Sequence, residues 1–203
     1  MELADGGVAR AVGTSDELLW RRSLAGDGEA FGLLFDRHRD RVFRHACRFA
    51  DTRHDAEDVV ASTFLELWRR RTDVRLVEAS VLPWLLVTAT NIGRNVARGT
   101  RRHRSFLQRL PRAPEEPDVA ETALGAHALG IDARLGAGLR SLDKQDASLL
   151  VLVALEGYTA SAAAEALELS VPAVRARLHR ARARLRAQLA SCTPEDGSGK
   201  GSG

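Results

Sequence analysis

The sequence predicts an all-α protein made of two small helical domains that a flexible linker joins. Apolar residues recur at helical spacing in both halves of the 203-residue chain, and no stretch of the first hundred residues alternates as a strand does. From Pro111 to about Ala126 the composition shifts to Pro, Glu, Ala and Gly, which is typical of a linker. We therefore expect a disordered start at 1–14, domains at 15–106 and 128–190, a linker at 107–127 and a disordered tail at 191–203.

Four amphipathic helices are expected in the first domain, each with its own start signal. Thr14 and Glu17 form a capping-box pattern that opens the first helix, and Asp27 caps the second after a glycine-rich break. A third helix is expected from about Asp55 to Arg71, with acidic residues in its first turn, where the helix dipole favours them. Ser80 caps the fourth helix. Because these helices carry most of the aromatic residues, we expect them to close one bundle.

The second domain is expected to end in two helices joined by a short turn. Upstream helices are expected near 131–139 and 143–155. Thr159 then caps a short helix that ends at Leu167, and Ser170 caps a long helix that runs to about Arg186. The turn between them has three residues, as in a helix-turn-helix.

The long last helix divides into an apolar stripe and a basic face. Apolar residues recur at i, i+4, i+7 and i+11 from Val174 to Leu185. No acidic residue occurs between Leu169 and Pro194, so the arginines have no partner for pairing within the helix. A packed stripe with a basic face, braced by a second helix, suits the major groove of DNA. The arginines of this face are Arg175, Arg177, Arg180, Arg182, Arg184 and Arg186.

Charge and composition narrow the class of protein. The formal net charge is only +3, yet the pI is about 9.4 and nearly all basic residues are arginine, the side chain that best matches phosphates and base edges. No hydrophobic run reaches membrane-spanning length, and the start of the chain lacks a signal-peptide pattern. We expect a cytoplasmic protein without membrane insertion.

No catalytic residue, metal site or cofactor is expected. Neither a glycine-rich phosphate loop nor a nucleophile elbow occurs in the sequence. Cys47 and Cys192 form no disulfide framework. One group of potential ligands lacks metal-site spacing, namely His38, His45, Cys47 and His54. The chain is therefore expected to act by positioning other molecules and not as an enzyme.

Three stretches carry a resemblance to a known family. They are DAEDVVASTFLELWRR (Asp55–Arg70), PWLLVTATNIGRNVARGTRRHR (Pro83–Arg104) and LEGYTASAAAEALELSVPAVRARLHRARARLR (Leu155–Arg186). In this order they resemble the extracytoplasmic-function group of sigma-70 RNA polymerase sigma factors, over about residues 16–189. The resemblance implies a sigma-two-like four-helix bundle and a sigma-four-like helix-turn-helix domain. It also implies a transcription initiation factor that directs core RNA polymerase to specific promoters.

The resemblance implies three contact surfaces. The third helix resembles the segment that docks on the clamp helices of the largest polymerase subunit, through Asp55, Glu57, Asp58, Ala61, Ser62 and Leu65. The fourth helix resembles the segment that meets the minus-10 element as the strands separate, through Asn91, Arg94, Asn95, Arg98, Arg101 and Arg102. The positions that face the minus-35 element are Ser170, Pro172, Ala173, Arg175, Ala176, Arg177, His179 and Arg180.

The chemistry of individual residues agrees with these roles. An amide such as Asn91 can hydrogen-bond an unstacked base, and Arg175 or Arg180 can grip a guanine or a phosphate. Glu168 stands where the family usually has a turn glycine, so a positive φ is expected at a residue with a Cβ. Helical spacing places the aromatic residues Phe64, Trp68 and Trp84 in the core.

Other functions stay open at this stage. A dimeric helix-turn-helix regulator with a helical sensor domain would bind palindromic operators, but a sensor needs no arginine run after Asn91. An inactive sigma-like decoy is a weaker alternative, because Ala61, Ser62 and Glu168 depart from the family pattern. The family resemblance further implies an anti-sigma factor as a partner, which the linker would let the two domains clasp.

Overall fold

The computed structural model describes residues 14–107 and 133–191, and every regular element within them is helical. The first domain contains α1 (Asp16–Leu24), α2 (Gly28–Ala46), α3 (Arg53–Arg69) and α4 (Leu82–Leu107). The second contains α5 (Ala133–Ser141), α6 (Lys144–Leu150), a π-helical turn (Val151–Leu155), α7 (Ala160–Ala166) and α8 (Val171–Ser191). The all-α prediction with two helical domains is confirmed. Leu107 and Ser191, the first residues of the predicted linker and tail, are the last residues of α4 and α8. The rest of the predicted linker and tail, with Cys192, and nearly all of the predicted N-terminal segment lie outside the described residues.

Side-chain caps start the first two helices, with one correction to the sequence prediction. Asp27 caps α2 as expected, because its carboxylate accepts a hydrogen bond from the Ala30 amide at 3.1 Å. For α1 the predicted Thr14 cap is wrong by one residue. The helix begins at Asp16, so Ser15 is the N-cap, and its hydroxyl accepts from the Leu18 amide.

A reciprocal capping box starts α3 two residues earlier than predicted. The Thr52 hydroxyl accepts a hydrogen bond from the Asp55 amide at 3.0 Å, and the Asp55 carboxylate accepts from the Thr52 amide at 3.2 Å. Of the three acids predicted in the first turn, only Asp55 lies there. Glu57 and Asp58 fall in the next turn because the helix begins at Arg53.

Aromatic pairs and aliphatic side chains fill the core of the first domain. Phe64 is buried as predicted and meets Phe35 edge-to-face, with ring centroids 4.8 Å apart. Trp68 is half-buried, with its ring 5.0 Å from that of Phe31. Gly93 lets α4 approach the segment after α2, because a Cβ there would stand 2.8 Å from the Cβ of Phe49. Leu34, Val59, Leu67, Leu85 and Leu86 are fully buried between the helices.

A buried carboxylate joins three parts of the first domain. Asp16, at the start of α1, accepts hydrogen bonds from Arg37 and His38 at 2.7 Å and from the Ser80 hydroxyl at 2.5 Å. Burial raises the pKa of Asp16, but these three hydrogen bonds outweigh it and hold the pKa well below its usual range. The network therefore fixes the start of α4 against α1 and α2.

The two domains pack against each other, and nothing in the sequence predicts this contact. Helix α4 touches α6, α7 and the π-helical turn, so one continuous core runs through both domains. The second domain is itself held together by α8, which packs on α5, α6 and α7. Within residues 14–107 and 133–191, no helix has the length and apolar character needed to cross a membrane.

Candidate nucleic-acid and polymerase interfaces

Helix α8 buries its apolar stripe and presents most of its basic residues to solvent. Val174, Leu178 and Ala181 are at most 5% exposed. The Thr159 hydroxyl caps α7 by accepting from the Ala162 amide at 3.0 Å. Glu168, in the turn, has φ +54°, which confirms the expected left-handed residue. The predicted helix-turn-helix is therefore present in the structure.

The predicted minus-35 residues cluster on the N-terminal half of α8 and the turn before it. Arg177 and Ala173 are half-buried. The exposed members are Ser170, Pro172, Arg175, Ala176, His179 and Arg180. These exposed side chains can therefore contact a DNA groove or a DNA phosphate without any rearrangement of the helix.

Arg177 is engaged inside the second domain. Its guanidinium lies 3.1 Å from a carboxylate oxygen of Asp146 and 3.7 Å from one of Asp143. Asp146 is nearly inaccessible, with 4% of its side chain exposed, and Arg184 contributes a second cation to it at 3.5 Å. A buried carboxylate requires such partners. Arg177 and Arg184 therefore fasten α8 to α6.

One outer face of α3 collects five of the six predicted polymerase-binding residues. Leu65 is 57% exposed, the largest exposure of a leucine in the part of the chain that the structure describes. An ion pair along the helix joins Arg53 to Glu57 at 2.9 Å, and the His54 Nε2 lies 3.7 Å from an Asp58 carboxylate oxygen. Asp55 instead serves the capping box. The exposed residues of this face are Glu57, Asp58, Ala61, Ser62 and Leu65.

The predicted minus-10 residues divide between solvent and the domain interface. Asn95, Arg98 and Arg102 are exposed, and Arg98 donates to the Asn95 side-chain oxygen at 2.5 Å. The Arg101 side chain is not among those described. Arg94 and Asn91 face the second domain. Arg94 donates hydrogen bonds to backbone carbonyls of that domain, and Asn91 lines the cavity between the two domains, with its side-chain oxygen buried. The structure thus does not bring the six residues onto one open surface.

The segment between α3 and α4 contributes to this interface, and sequence reasoning assigned it no role beyond Ser80. Glu78 and Ala79 both have positive φ, at +51° and +57°, in a turn closed by Val77 and Ser80. No glycine marks this turn, so the sequence contains no signal for it.

Trp84, predicted in the core, is half-buried at its edge. It lines an interdomain cavity of about 310 Å³ with Asp73, Arg75, Asn91, Lys144, Ser148 and Leu167.

Comparisons with known proteins agree with this geometry. The model of sigma-70 region 2 matches residues 34–103, and that of sigma-70 region 4 matches residues 133–185. The chain is 33% identical to the RNA polymerase sigma factor NccH of Alcaligenes xylosoxydans xylosoxydans, over 87% of this chain and 95% of that protein. It is 30% identical to the ECF RNA polymerase sigma factor SigM of Mycobacterium tuberculosis, over 84% and 83%. The chain belongs to the ECF sigma-70 family.

Family membership assigns the two domains. The first is sigma region 2 and the second is sigma region 4, the regions that read the minus-10 and minus-35 promoter elements in transcription initiation. The family is not enzymatic. The solved structure of CnrH in complex with the cytosolic domain of CnrY is similar, with a TM-score of 0.60, 29% identity, and coverage of 89% of this chain and all of that one. Membership in this family decides against the dimeric regulator.

Proposed function

We propose that this sigma factor anchors to core RNA polymerase through the outer face of α3 and reads the minus-35 duplex through the N-terminal half of α8. It reads the minus-10 strand through α4. The observation that carries the proposal is that most of the matching positions on α3 and α8 face solvent, whereas the apolar stripes of both helices form the core.

The α3 face has the composition of a protein-binding surface. Leu65 offers an apolar anchor, and the small residues Ala61 and Ser62 let a partner helix approach closely. Glu57 and Asp58 add negative charge at one end, which suits a basic partner. Asp55 supports this face indirectly by fixing the first turn of α3.

On α8, the exposed arginines are proposed to contact DNA, and the half-buried Arg177 is proposed to hold the helix in position. Arg175 and Arg180 are free of the contacts that engage Arg177, so they are the proposed base or phosphate contacts, with His179 and Ala176 between them. A bidentate arginine contact discriminates a guanine by about 1–3 kcal/mol. We assign Arg177 to positioning α8, because its guanidinium is paired with Asp146.

The experiment is reconstitution with bacterial core RNA polymerase. The chain should co-elute with core enzyme and support promoter-selective transcription from a random promoter library. Leu65→Gln should lose at least tenfold in polymerase affinity. Leu18→Gln is the matched control, since Leu18 is 51% exposed on α1, outside the proposed surface. Co-elution without transcripts would indicate a decoy, and no co-elution would contradict the proposal.

The proposal also includes the location of the protein and one further partner. Transcription initiation on chromosomal promoters implies a cytoplasmic location. An anti-sigma factor is proposed to bind the second domain, where an apolar groove lies between the π-helical turn and α8, lined by Leu150, Val153, Leu178 and Leu185. An inhibitor found by co-purification should lose affinity for Val153→Arg and keep it for Ala187→Arg, which lies on the exposed side of α8. Equal affinity for both variants would contradict this surface.

A further inference from the structure

We infer that the cavity between the two domains is a binding site for a small molecule, an adenine nucleoside. The cavity has a volume of about 310 Å³, at the lower end of the roughly 300–1,000 Å³ that ligand pockets occupy. The first domain lines it with α4 and the segment before α4, and the second with α6, the end of α7 and the turn after α7. This size favours a single nucleoside over a longer oligonucleotide.

Apolar side chains from both domains form part of the cavity wall. Val77, Trp84 and Val87 come from the first domain, and Ala166 and Leu167 come from the second. All five are buried or half-buried. A flat heterocycle can stack on the indole of Trp84 and bury its faces against the aliphatic side chains. The wall therefore favours a planar aromatic ligand.

Asn91 supplies the polar group that selects the heterocycle. It lines the cavity, and its side-chain oxygen is buried with no hydrogen-bond partner among the residues that the structure describes. A buried acceptor without a donor is costly, so a ligand that brings an N–H group is favoured there. Asparagine pairs with adenine through two hydrogen bonds, which involve the N6 amino group and N7. The amide of Asn91 thus favours an amino-substituted purine.

Glu168 contributes a carboxylate from the second domain. Its φ of +54° is a backbone conformation that favours glycine, and it stands where the family usually has a turn glycine. The residue also lines the cavity. A strained backbone conformation at a residue with a side chain indicates a function for that side chain. Carboxylates accept hydrogen bonds from ribose hydroxyls in nucleotide sites, so Glu168 is the proposed acceptor for the ribose.

The charged residues of the cavity favour a neutral ligand over a phosphorylated one. Asp73 and Glu165 add two more carboxylates to that of Glu168, against the two cations Arg75 and Lys144. A phosphate group would therefore meet more negative than positive charge. Ribose hydroxyls both donate and accept hydrogen bonds, so they suit a lining of mixed charge. The ligand class is therefore a nucleoside and not a nucleotide.

A nucleoside in this cavity would compete with promoter DNA. Asn91 is one of the residues proposed to receive a minus-10 base, and its amide cannot bind adenine and a promoter base at the same time. This consequence rests on the proposed function, whereas the binding of the nucleoside does not. Adenosine is therefore expected to inhibit reading of the minus-10 strand.

Calorimetric titration of the full chain with adenosine tests the site. Adenosine should bind with a Kd of about 1 mM or tighter. Purine riboside, which lacks the N6 amino group, and 2′-deoxyadenosine, which lacks one ribose hydroxyl, should each bind at least fivefold more weakly. Adenosine 5′-monophosphate should bind no more tightly than adenosine. Absence of adenosine binding, or equal binding of adenosine and either analogue, would overturn the assignment. Tighter binding of the monophosphate would overturn the choice of a neutral ligand.

Two glutamates at positive φ provide a matched pair of variants. Glu168→Gly and Glu78→Gly both place a glycine in a conformation that it adopts freely, so both variants should fold as the wild type does. Of the two residues, Glu168 lines the cavity and Glu78 does not. Glu168→Gly should bind adenosine at least fivefold more weakly and lose the preference over 2′-deoxyadenosine, whereas Glu78→Gly should match the wild type in both. Equal affinities of the two variants would overturn the role of Glu168.

Two asparagines of α4 test the contact with the base. Asn95 lies one turn beyond Asn91, is exposed, and accepts a hydrogen bond from Arg98. Asn91→Ala should abolish the preference for adenosine over purine riboside, because the acceptor for the N6 amino group is removed. Asn95→Ala should keep that preference. An unchanged preference in Asn91→Ala would overturn the contact between Asn91 and adenine.

Failure of this site and failure of the proposed function are distinguishable. A chain that gives promoter-selective transcripts but does not bind adenosine contradicts only the nucleoside site. A chain that binds adenosine, but neither binds core polymerase nor gives such transcripts, contradicts only the proposed function. Where both hold, saturating adenosine should lower the affinity for a single strand with the selected minus-10 sequence at least fivefold. Unchanged affinity would overturn the competition at Asn91.

Discussion

The two arginine-bearing helices of this sigma factor, α4 and α8, present their cations in opposite ways. Helix α8 points Arg175 and Arg180 into solvent and keeps Arg177 on a buried carboxylate of its own domain. Helix α4 commits Arg94 to backbone carbonyls of the other domain. The difference shows that an arginine at a predicted DNA-reading position can be engaged within its own domain or by the other domain, and that the position of its acceptor decides which.

The largest expected effect is on the pH dependence of stability, through a buried histidine that contacts α4. His45 is fully buried and its Nε2 lies 2.9 Å from the Thr90 hydroxyl of α4. Burial, together with the nearby Arg48 guanidinium, lowers the pKa of His45 to about 3. In the unfolded chain it binds a proton near pH 6.5. Between pH 6.5 and about 3, the free energy of unfolding should therefore fall as the pH falls, by about 1.4 kcal/mol per pH unit.

The measurement is urea unfolding at pH 7.5, 6 and 5. The control is His45→Gln, which should be less stable at pH 7.5 but lose less stability on acidification. Asp16 adds a loss of the same sign at lower pH, since its pKa is held below the ordinary value and its contribution disappears as it protonates. Parallel pH curves for wild type and His45→Gln would contradict the assignment to His45.

The next effect tests base reading on α8. Arg180→Ala should reduce binding of the selected minus-35 sequence by about 1–3 kcal/mol and relax preference at one base pair. Arg184→Ala should weaken all sequences alike, because Arg184 lies beside Asp146 and outside the predicted minus-35 positions, so any contact it makes with DNA is expected to be with phosphates. Binding of wild type and variants to a minus-35 library measures this. Equal loss of specificity in both variants would contradict the distinction.

A smaller effect is expected for Arg177, on stability. Arg177→Ala removes one of the two cations that Asp146 contacts, and should lower the free energy of unfolding by about 1–2 kcal/mol. Arg182→Ala is the control, since Arg182 is exposed on the same helix and should change stability by less than about 0.5 kcal/mol. Thermal unfolding measures both. A stability change confined to Arg182→Ala would contradict the positioning role of Arg177.

The smallest effect is on salt dependence. With four to six phosphates neutralised, the slope of log affinity against log salt should be about −0.9 per contact for duplex DNA. Arg184→Ala should reduce the magnitude of that slope by no more than about one. Titrations at several salt concentrations measure it. A slope near zero for the wild type would exclude arginine–phosphate contacts as the source of affinity.

Local features of the fold were predictable because each depends on a few neighbouring residues. The caps Asp27 and Thr159 and the buried stripe from Val174 follow from nearest-neighbour chemistry. The left-handed Glu168 was predictable because it stands at a glycine position of the family. The error at Thr14 arises from the same local chemistry as the caps, since Ser15 is an equally good cap one residue away. Sequence patterns predict that a cap exists more reliably than they predict its exact position.

The candidate site was predictable only in part. The exposed faces of α3 and α8 follow from helical periodicity together with the family pattern. The engagement of Arg94 does not, because its acceptors are backbone carbonyls more than forty residues away, which no side-chain pattern encodes. The same holds for Gly136, whose neighbour is the carbonyl of Arg48 in another domain. Contacts between domains require the structure.

The most direct measurement is the distance between the two domains, free and bound. Spin labels at Asp40 on α2 and Ala187 on α8, both exposed, would be measured by pulsed electron resonance in a chain with Cys192→Ser. We expect one short, narrow distance for the free chain, and an increase of tens of ångströms when core polymerase and promoter DNA are added. A broad distribution of long distances in the free chain, unchanged by polymerase, would contradict the packing of the two domains and with it the difference between α4 and α8.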